Sequence, residues 1–293
     1  MTRRTLLASA AGLAAIQQSL EGQASTSGGK LPAPAEGRIP VAFPISAGAV
    51  VIDYTGPWEV FQDTQVPIGD KNAPGFELYT VSNHSDPIAV SGGMKVIPNY
   101  TFDNAPQPKV IVIPAQQGND AMIAWIRAAS AKADLTMSVC TGAFLLAKTG
   151  LLAGKAATTH HGSYSAFAMQ FRDVKLQRGQ RFVEAGGNVA SAGGLTSGID
   201  LALRVVERYY GRFVAERTAY YMEYMGTGWK DPGSNAVYAT RPKEDGAVCA
   251  VCGMAVSPTA ALQSTYHEKT YRFCSGGCKS QFEQTPSEFV IAG

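Results

Sequence analysis

Cys140 stands apart from the other cysteines in the sequence. It ends the run Thr136 to Cys140, which predicts a β-strand, and a helix-forming run begins directly after it. A sharp strand-to-helix turn exposes a side chain at the edge of a sheet, and the unpaired N–H groups of the first helical turn favour a thiolate there. Thr141 and Gly142 are small, so a substrate can approach the sulfur. The pattern predicts a cysteine nucleophile, with a buried, inert cysteine as the alternative.

The other four cysteines lie near the end of the chain, as the pairs Cys249 with Cys252 and Cys274 with Cys278. Two pairs of closely spaced cysteines, brought together from two turns, form a tetrahedral site of four thiolates. A segment this small cannot bury enough apolar area to fold alone, so it needs such a staple. In an oxidising compartment the same thiols could instead form disulfides, and that alternative stays open.

Alternating strands and helices must position Cys140. From Arg38 onward, short β-branched runs alternate with helical periodicity, which implies a mainly parallel sheet sandwiched by helices. The predicted strands are Ile39–Phe43, Phe76–Val81, Val110–Pro114 and Thr136–Cys140. Glycine-containing stretches at 89–102 and 181–192 predict antiparallel additions to this sheet.

Length and composition allow two folded units and an export signal. The chain has 293 residues, 16% of them charged, and a formal net charge of +2, which does not suggest a nucleic-acid or membrane surface. Arg3 and Arg4 open a short apolar run that resembles a twin-arginine leader, so we assign 1–24 as a signal peptide and 25–37 as a flexible segment. We expect a periplasmic protein without a stable membrane anchor. Glycine, proline and charge without an apolar period predict a linker at 226–246.

Several motifs resemble the DJ-1/PfpI superfamily and, within it, the isonitrile hydratases. They are Phe43–Pro44, Ile52–Phe61, Ser138–Gly142, Gly150–Gly154, Ala157–His160 and Gly193–Asp200. The resemblance implies a DJ-1/PfpI-type, flavodoxin-like domain over residues 38–225, which forms a homodimer and needs no external cofactor.

The resemblance also implies roles for individual residues. It makes Cys140 the nucleophile, Asp53 the carboxylate that faces it, and Thr141 the residue whose N–H and hydroxyl hold the reacting group. His160 stands where the superfamily often has a histidine near the cysteine. Glu59 is a second candidate for the role of Asp53.

Two positions depart from the family pattern. His161 stands where an aromatic residue commonly follows the histidine. The loop Ala115–Gly118 replaces one that is usually rich in glycine and that would supply a backbone donor to the reacting group. Side chains at Gln116 and Gln117 could block or reshape that part of the site.

The end of the chain resembles a YHS (TRASH-type) domain. The similarity is carried by Val251–Met254, Tyr266–Cys274, Cys278–Lys279, Phe282 and Pro286. It implies a metal-binding domain over residues 247–293 whose ligands are Cys249, Cys252, Cys274 and Cys278. Zinc suits a closed site of four thiolates, whereas Cu(I) suits fewer sulfurs, helped by Met254 or His267.

These features predict an enzyme in which Cys140 attacks the electrophilic carbon of a small molecule such as an isonitrile. Water then releases an N-substituted formamide, and Asp53 transfers the protons in both steps. The alternative is a non-enzymatic periplasmic protein that carries or senses copper or zinc, or senses thiol stress. In it Cys140 is oxidised or occupied rather than turning over, and the C-terminal cysteines bind copper. A transcriptional regulator is a third interpretation. Export, low charge and the lack of a helix-turn-helix pattern after Tyr224 argue against it.

Overall fold

A computed structural model describes residues 28–35, 37–239, 249–251, 256–257, 262–284, 286 and 289. The predicted signal peptide, the part of the predicted linker from 240 to 246, Cys252 and Met254 lie outside the described residues. Within the part that is described, no helix combines the length and the apolar character needed to cross a bilayer.

Short strands and helices alternate through the α/β domain and recur in the C-terminal module. The strands are β1 Ile39–Pro44, β2 Gln65–Ile68, β3 Lys71–Pro74, β4 Phe76–Ser82, β5 Ile88–Ala89, β6 Lys95–Val96, β7 Tyr100–Thr101, β8 Val110–Ile113, β9 Leu135–Ser138, β10 Ala156–Ala157, β11 Lys175–Leu176, β12 Phe182–Glu184, β13 Val189–Ala192, β14 Gln263–Tyr266 and β15 Lys269–Arg272. The α-helices are α1 Val51–Gln62, α2 Asp120–Ser130, α3 Gly142–Lys148, α4 Tyr164–Gln170, α5 Ser197–Tyr210, α6 Arg212–Tyr221 and α7 Gly276–Gln284.

The main sheet has seven strands in the order β12-β13-β9-β8-β1-β4-β7. Neighbouring strands run parallel except for β12, which is antiparallel to β13, so the prediction of a mainly parallel sheet is confirmed. From β4 through β1, β8 and β9 to β13 the order is that of a flavodoxin-like sheet. The chain reverses its direction of winding between β1 and β8, and the carboxyl ends of these two strands therefore border a crevice.

Both faces of the sheet are covered, and β8 shows why its strands are apolar throughout. Val110 and Val112 belong to a core shared with α1, α5 and α6, whereas Ile111 and Ile113 belong to a second core shared with α2, α3 and α4. Successive side chains of a strand point to opposite faces, so a strand that is buried on both sides needs an unbroken apolar run.

Some predicted strand boundaries and directions differ from the structure. β9 ends at Ser138 rather than Cys140, because Cys140 leaves the extended conformation with a φ of 58°. In 89–102, β5 and β6 form a separate two-stranded sheet, and the following strand β7 joins the main sheet parallel to β4. In 181–192, β12 is the antiparallel addition that was predicted, whereas β13 pairs in parallel with β9.

Part of the segment predicted to be flexible, 25–37, is fixed by a buried ion cluster. Arg204 and Arg208 on α5 bind Glu184 on β12 at 3.1 and 3.2 Å. The same two guanidinium groups donate to the carbonyls of Gly28 and Gly29 at 3.3 and 2.8 Å. The segment packs here because the buried N–H donors that Glu184 does not satisfy need backbone acceptors.

The first part of the predicted linker also packs on the α/β domain. Trp229 is buried, and just before the linker the Tyr224 hydroxyl donates to buried Asp200 at 3.1 Å. The backbone N–H of Arg181 donates to the Pro232 carbonyl at 2.6 Å, at the start of a 3₁₀ turn that ends at Tyr238. We call residues 226–238 the strap.

Gly142 lets α3 start directly against β8, and this contact predicts the effect of a substitution. A Cβ at Gly142 would lie 2.3 Å from the carbonyl oxygen of Ile113, which as strand backbone cannot shift. We expect Gly142→Ala to lower the free energy of unfolding by about 2–4 kcal/mol, measured by urea denaturation. Gly29→Ala is the control, because a Cβ there meets nothing within 4 Å. Equal losses in the two variants would contradict this packing.

Candidate active site and metal centre

Cys140 occupies a tight turn between β9 and α3. Its φ of 58° lies in the left-handed region, which residues other than glycine seldom adopt. Its N–H donates to the Gly193 carbonyl at 2.8 Å, and its own carbonyl accepts the Thr159 hydroxyl at 2.9 Å. These two bonds hold the turn from both sides. They keep the sulfur at the carboxyl edge of the sheet, where the residue is 7% exposed.

Asp53, the carboxylate predicted to face Cys140, does so from the first turn of α1. It is fully buried, and its Oδ2 accepts the N–H of Ala115 at 3.0 Å. The carboxylate also interacts with the Cys140 side chain. Burial raises the pKa of Asp53 to about 6, although the hydrogen bonds from Ala115 and Cys140 act to lower it.

The same surroundings raise the pKa of the Cys140 thiol to about 11, first through burial and then through the negative charge of Asp53. Hydrogen bonds from Thr141 and from the Leu195 N–H lower this pKa, but by less than burial and Asp53 together raise it. The expectation that the turn favours a resting thiolate is therefore wrong. At neutral pH the pair holds one proton, with the thiol protonated and Asp53 ionised. Asp53 is accordingly the group that can take the proton when the sulfur attacks.

Two residues supply the hydrogen-bond donors that converge on the sulfur. Thr141 contributes its N–H and its side chain, and Leu195 contributes its N–H from a backbone with a φ of 45°. The sequence interpretation included Thr141 but missed Leu195 and Thr159. The pair of glycines before Leu195 was the available signal, since adjacent glycines mark a close approach of backbone.

The loop Ala115–Gly118 helps to hold the carboxylate of Asp53 in place. Its Ala115 N–H is directed at Asp53, and the donors that reach the sulfur come from elsewhere. The Gln116 side chain accepts the Ser46 N–H at 2.6 Å and donates to the Pro44 carbonyl at 2.7 Å, while Gln117 is exposed. The loop therefore fixes the carboxylate and ties the end of β8 to the end of β1.

His160 lies against the loop that carries Leu195. A Cβ at Gly194 would be 2.4 Å from the ring carbon Cδ2 of His160, so the ring occupies the space that the glycine leaves. Its Nδ1 accepts the Gly162 N–H at 3.1 Å, which puts the proton of the neutral ring on Nε2. Burial, followed by the charge of His161, lowers the pKa of His160, and the ring is therefore neutral at neutral pH.

Glu59 does not share the position of Asp53. It is exposed, and its carboxylate accepts the side-chain amide of Gln62 at 3.2 Å. Six residues along a helix correspond to about 240° of rotation, so the two carboxylates of α1 face different directions. Asp53 is the one in contact with Cys140.

Three of the four predicted metal ligands meet in the C-terminal module. The sulfurs of Cys249, Cys274 and Cys278 lie within 4.8 Å of one another, with Cys274 and Cys278 3.6 Å apart, and none of the three is joined in a disulfide bond. Zinc–sulfur bonds of about 2.3 Å in a tetrahedron separate the sulfurs by about 3.8 Å, so these donors fit such an ion. Cys252, the fourth predicted ligand, lies outside the described residues.

The thiols of this cluster oppose one another's ionisation. Burial raises the pKa of Cys278 to about 11; the Ser275 hydroxyl lowers it, while Cys274 and Cys249 raise it. A bound cation would reverse this balance, because it favours thiolates. Exposed His267 lies at the turn between β14 and β15 and is not one of the clustered groups.

Comparison with known proteins identifies both parts of the chain. Residues 40–208 match the model of the DJ-1/PfpI family, and residues 250–292 match that of the YHS domain. The isonitrile hydratase of Pseudomonas putida is 30% identical over 193 residues, which cover 62% of this chain and 77% of that enzyme. The HTH-type transcriptional regulator CdhR of Pseudomonas aeruginosa is 25% identical over 141 residues, which cover 46% of this chain but only 41% of the regulator.

Among solved structures, a THiJ/PfpI family protein from Pseudomonas syringae superposes with a TM-score of 0.58 at 26% identity. The match covers 66% of this chain and 78% of that one. Residues 40–208, which match the family model, include both Asp53 and Cys140.

The shared proton predicts how alkylation of Cys140 depends on pH. The rate should rise as Asp53 ionises near pH 6, level off through neutral pH, and rise again towards pH 11 as the thiol loses its proton. In Asp53→Asn the first step should disappear and the thiol should titrate below 11, because the charge that raises its pKa is gone. Alkylation resolved by peptide mass spectrometry of the full chain measures both profiles.

Glu59→Gln is the control for this experiment, since it removes an exposed carboxylate from the same helix. Its profile should match the parent. A parent profile with a single ionisation, or one that Asp53→Asn leaves unchanged, would contradict the shared proton.

Proposed function

Because this chain belongs to the DJ-1/PfpI family and carries a YHS domain, we propose that it is a cysteine enzyme that adds water to an electrophilic carbon of a small molecule. The substrate class that we propose is the isonitriles, by analogy with the Pseudomonas putida relative. The observation that carries the proposal is the buried pair of Cys140 and Asp53, which holds one proton at the carboxyl edge of the sheet.

In the first half of the reaction, the Cys140 sulfur attacks the terminal carbon of the isonitrile as Asp53 takes the thiol proton. Asp53 then delivers that proton to the same carbon. The product of this half is a thioimidate, in which the carbon is bonded to the sulfur, to hydrogen and, through a double bond, to nitrogen. The pKa of Asp53, near 6, suits a group that must both accept and return a proton at neutral pH.

In the second half, ionised Asp53 draws a proton from water, and the oxygen adds to the carbon of the thioimidate. The nitrogen gains that proton, the carbon–sulfur bond breaks, and the water's remaining proton returns to the sulfur. The N–H groups of Thr141 and Leu195 stabilise the sulfur as it leaves, because they bind it most strongly when it is charged. The sum is one isonitrile and one water converted to one N-substituted formamide.

A second candidate function is a non-enzymatic carrier or sensor, and one observation favours it. The raised pKa of Cys140 leaves the thiol protonated at neutral pH, as in an unreactive cysteine. The carboxylate in contact with this thiol distinguishes the two functions, because an inert buried cysteine has no need of a charged group whose burial costs free energy. We therefore prefer the enzyme.

For the YHS domain we propose a thiolate site that holds zinc or Cu(I). The support is the donor set, three sulfurs at the spacing of a tetrahedral site, with Cys252 as the fourth ligand in the sequence. Such an ion would compensate the charge of the thiolates and hold β15 and α7 together around a small aromatic core that contains Phe273 and Phe282.

We also propose that the protein is exported and acts in the periplasm as a homodimer. Export is supported by Arg3 and Arg4 in the leader pattern. Dimerisation is supported by large apolar side chains on α6 and just after it: Phe213 is 68% exposed, Tyr220 87% and Met225 90%.

The catalytic proposal predicts the activity of two variants. With an alkyl isonitrile, Cys140→Ala should form no N-substituted formamide above the uncatalysed rate, since the nucleophile is gone. Asp53→Asn should lower kcat by about 10²–10⁴-fold, the usual loss when a general base is removed. Product formation is followed by NMR. Equal turnover by Cys140→Ala and the parent, or by Asp53→Asn and the control Glu59→Gln, would contradict the mechanism.

The metal proposal predicts a stoichiometry. Full-length protein purified under reducing conditions should bind about one zinc or Cu(I) ion per chain, and the double variant Cys274→Ser with Cys278→Ser should lose at least about tenfold in affinity. Cys140→Ser is the matched control and should keep the ion, because its thiol lies in the other domain. Zero stoichiometry for both metals in the parent would refute the site.

A further inference from the structure

Three aromatic rings lie in a continuous row beside the site of Cys140, and we call this row the stack. The rings of His160 and His161 have centroids 4.4 Å apart and are inclined by 34°, and those of His161 and Tyr238 are 4.5 Å apart and inclined by 22°. Tyr238 is the last residue of the strap and lies beyond residues 40–208, which match the DJ-1/PfpI family. A residue from outside the matched region therefore contacts the histidine segment.

The strap holds Tyr238 in place through packing on the α/β domain. Trp229 is buried near the start of the strap, and Asn235 accepts from the guanidinium of Arg181 at 3.4 Å. At the far end, Gly179 is close to both Ala236 and Ala239, with 2.6 Å between a Cβ at the glycine and the Cβ of Ala239. The position of Tyr238 is fixed by these contacts as well as by the stack.

Contacts continue from the stack to the reactive sulfur. His160 fills the space beside Gly194, and the next residue, Leu195, gives its N–H to Cys140. On the other side of His160, the hydroxyl of Thr159 donates to the Cys140 carbonyl at 2.9 Å. A displacement of the His160 ring would therefore disturb two of the bonds that hold the nucleophile.

We propose that Tyr238 is a positioning residue for the Cys140 site: its ring keeps His161 and His160 stacked and so holds His160 against Gly194. The inference deepens the proposed function, since it concerns the same nucleophile. At position 161 the histidine ring lies between Tyr238 of the strap and His160.

The test compares three variants of the full-length protein. Tyr238→Leu keeps an apolar side chain without the ring, Tyr238→Phe keeps the ring, and Tyr221→Ala removes a tyrosine that is 72% exposed on α6. The first readout is the ring-proton NMR signals of the four histidines. In Tyr238→Leu the signals of His160 and His161 should lose their ring-current shifts, while those of His84 and His267 stay unchanged.

The second readout is the alkylation rate of Cys140 at neutral pH, measured at that residue by peptide mass spectrometry. Tyr238→Leu should lower it by about threefold or more, because the Leu195 donor is no longer held at the sulfur. Tyr238→Phe and Tyr221→Ala should match the parent in both readouts. Neither readout requires turnover of an isonitrile, so the outcome is independent of the substrate proposal.

Two results would overturn the inference. Unchanged histidine signals in Tyr238→Leu would mean that the stack does not order these rings. Changed signals with an unchanged or faster alkylation rate would mean that the stack does not position the nucleophile, and a faster rate would make Tyr238 a screen that covers the thiol.

Discussion

One buried carboxylate connects the elements that meet at the carboxyl edge of the sheet. Asp53 belongs to the first turn of α1, accepts a hydrogen bond from Ala115 after β8, and contacts Cys140 after β9. Keeping this group ionised inside the protein costs free energy, and its raised pKa reflects that cost. The left-handed turn at Cys140 and the close approach of Gly142 to β8 keep the thiol beside it. The burial of Asp53, which costs free energy, thus also gives it a pKa near 6, so that this carboxyl group gains and loses a proton close to neutral pH.

The sequence was sufficient for the features that local pattern determines. The apolar runs identified the parallel sheet, and the strand-to-helix junction identified the turn at Cys140, because each depends on residues close together in the chain. Helical rotation would also have separated Glu59 from Asp53. The pKa balance could not be read in this way, since it depends on how deeply Asp53 and Cys140 are buried together. The contact between the rings of Tyr238 and His161 also could not be predicted, because the two residues are far apart in the chain and no local motif indicates their contact.

The two cysteine sites show how surroundings decide the chemistry of one residue type. Cys140 has a carboxylate and hydrogen-bond donors around a single sulfur, an arrangement suited to proton transfer and to one covalent bond. Cys249, Cys274 and Cys278 have mainly one another, and their mutual repulsion is relieved by a cation. Both arrangements raise a thiol pKa in the absence of a reaction partner, yet one favours an electrophile and the other a soft metal ion.

The strap bears on where along the chain the α/β domain can be joined to another module. The region that matches the DJ-1/PfpI family ends at residue 208, and the match alone would put the end of the α/β domain soon after it. A junction there would strip away the cover over the core near Trp229, the partner of Asp200 at Tyr224, and the ring that stacks on His161. A C-terminal module joined to this domain must therefore leave the chain intact through Tyr238, so the strap belongs to the α/β domain rather than to the C-terminal module.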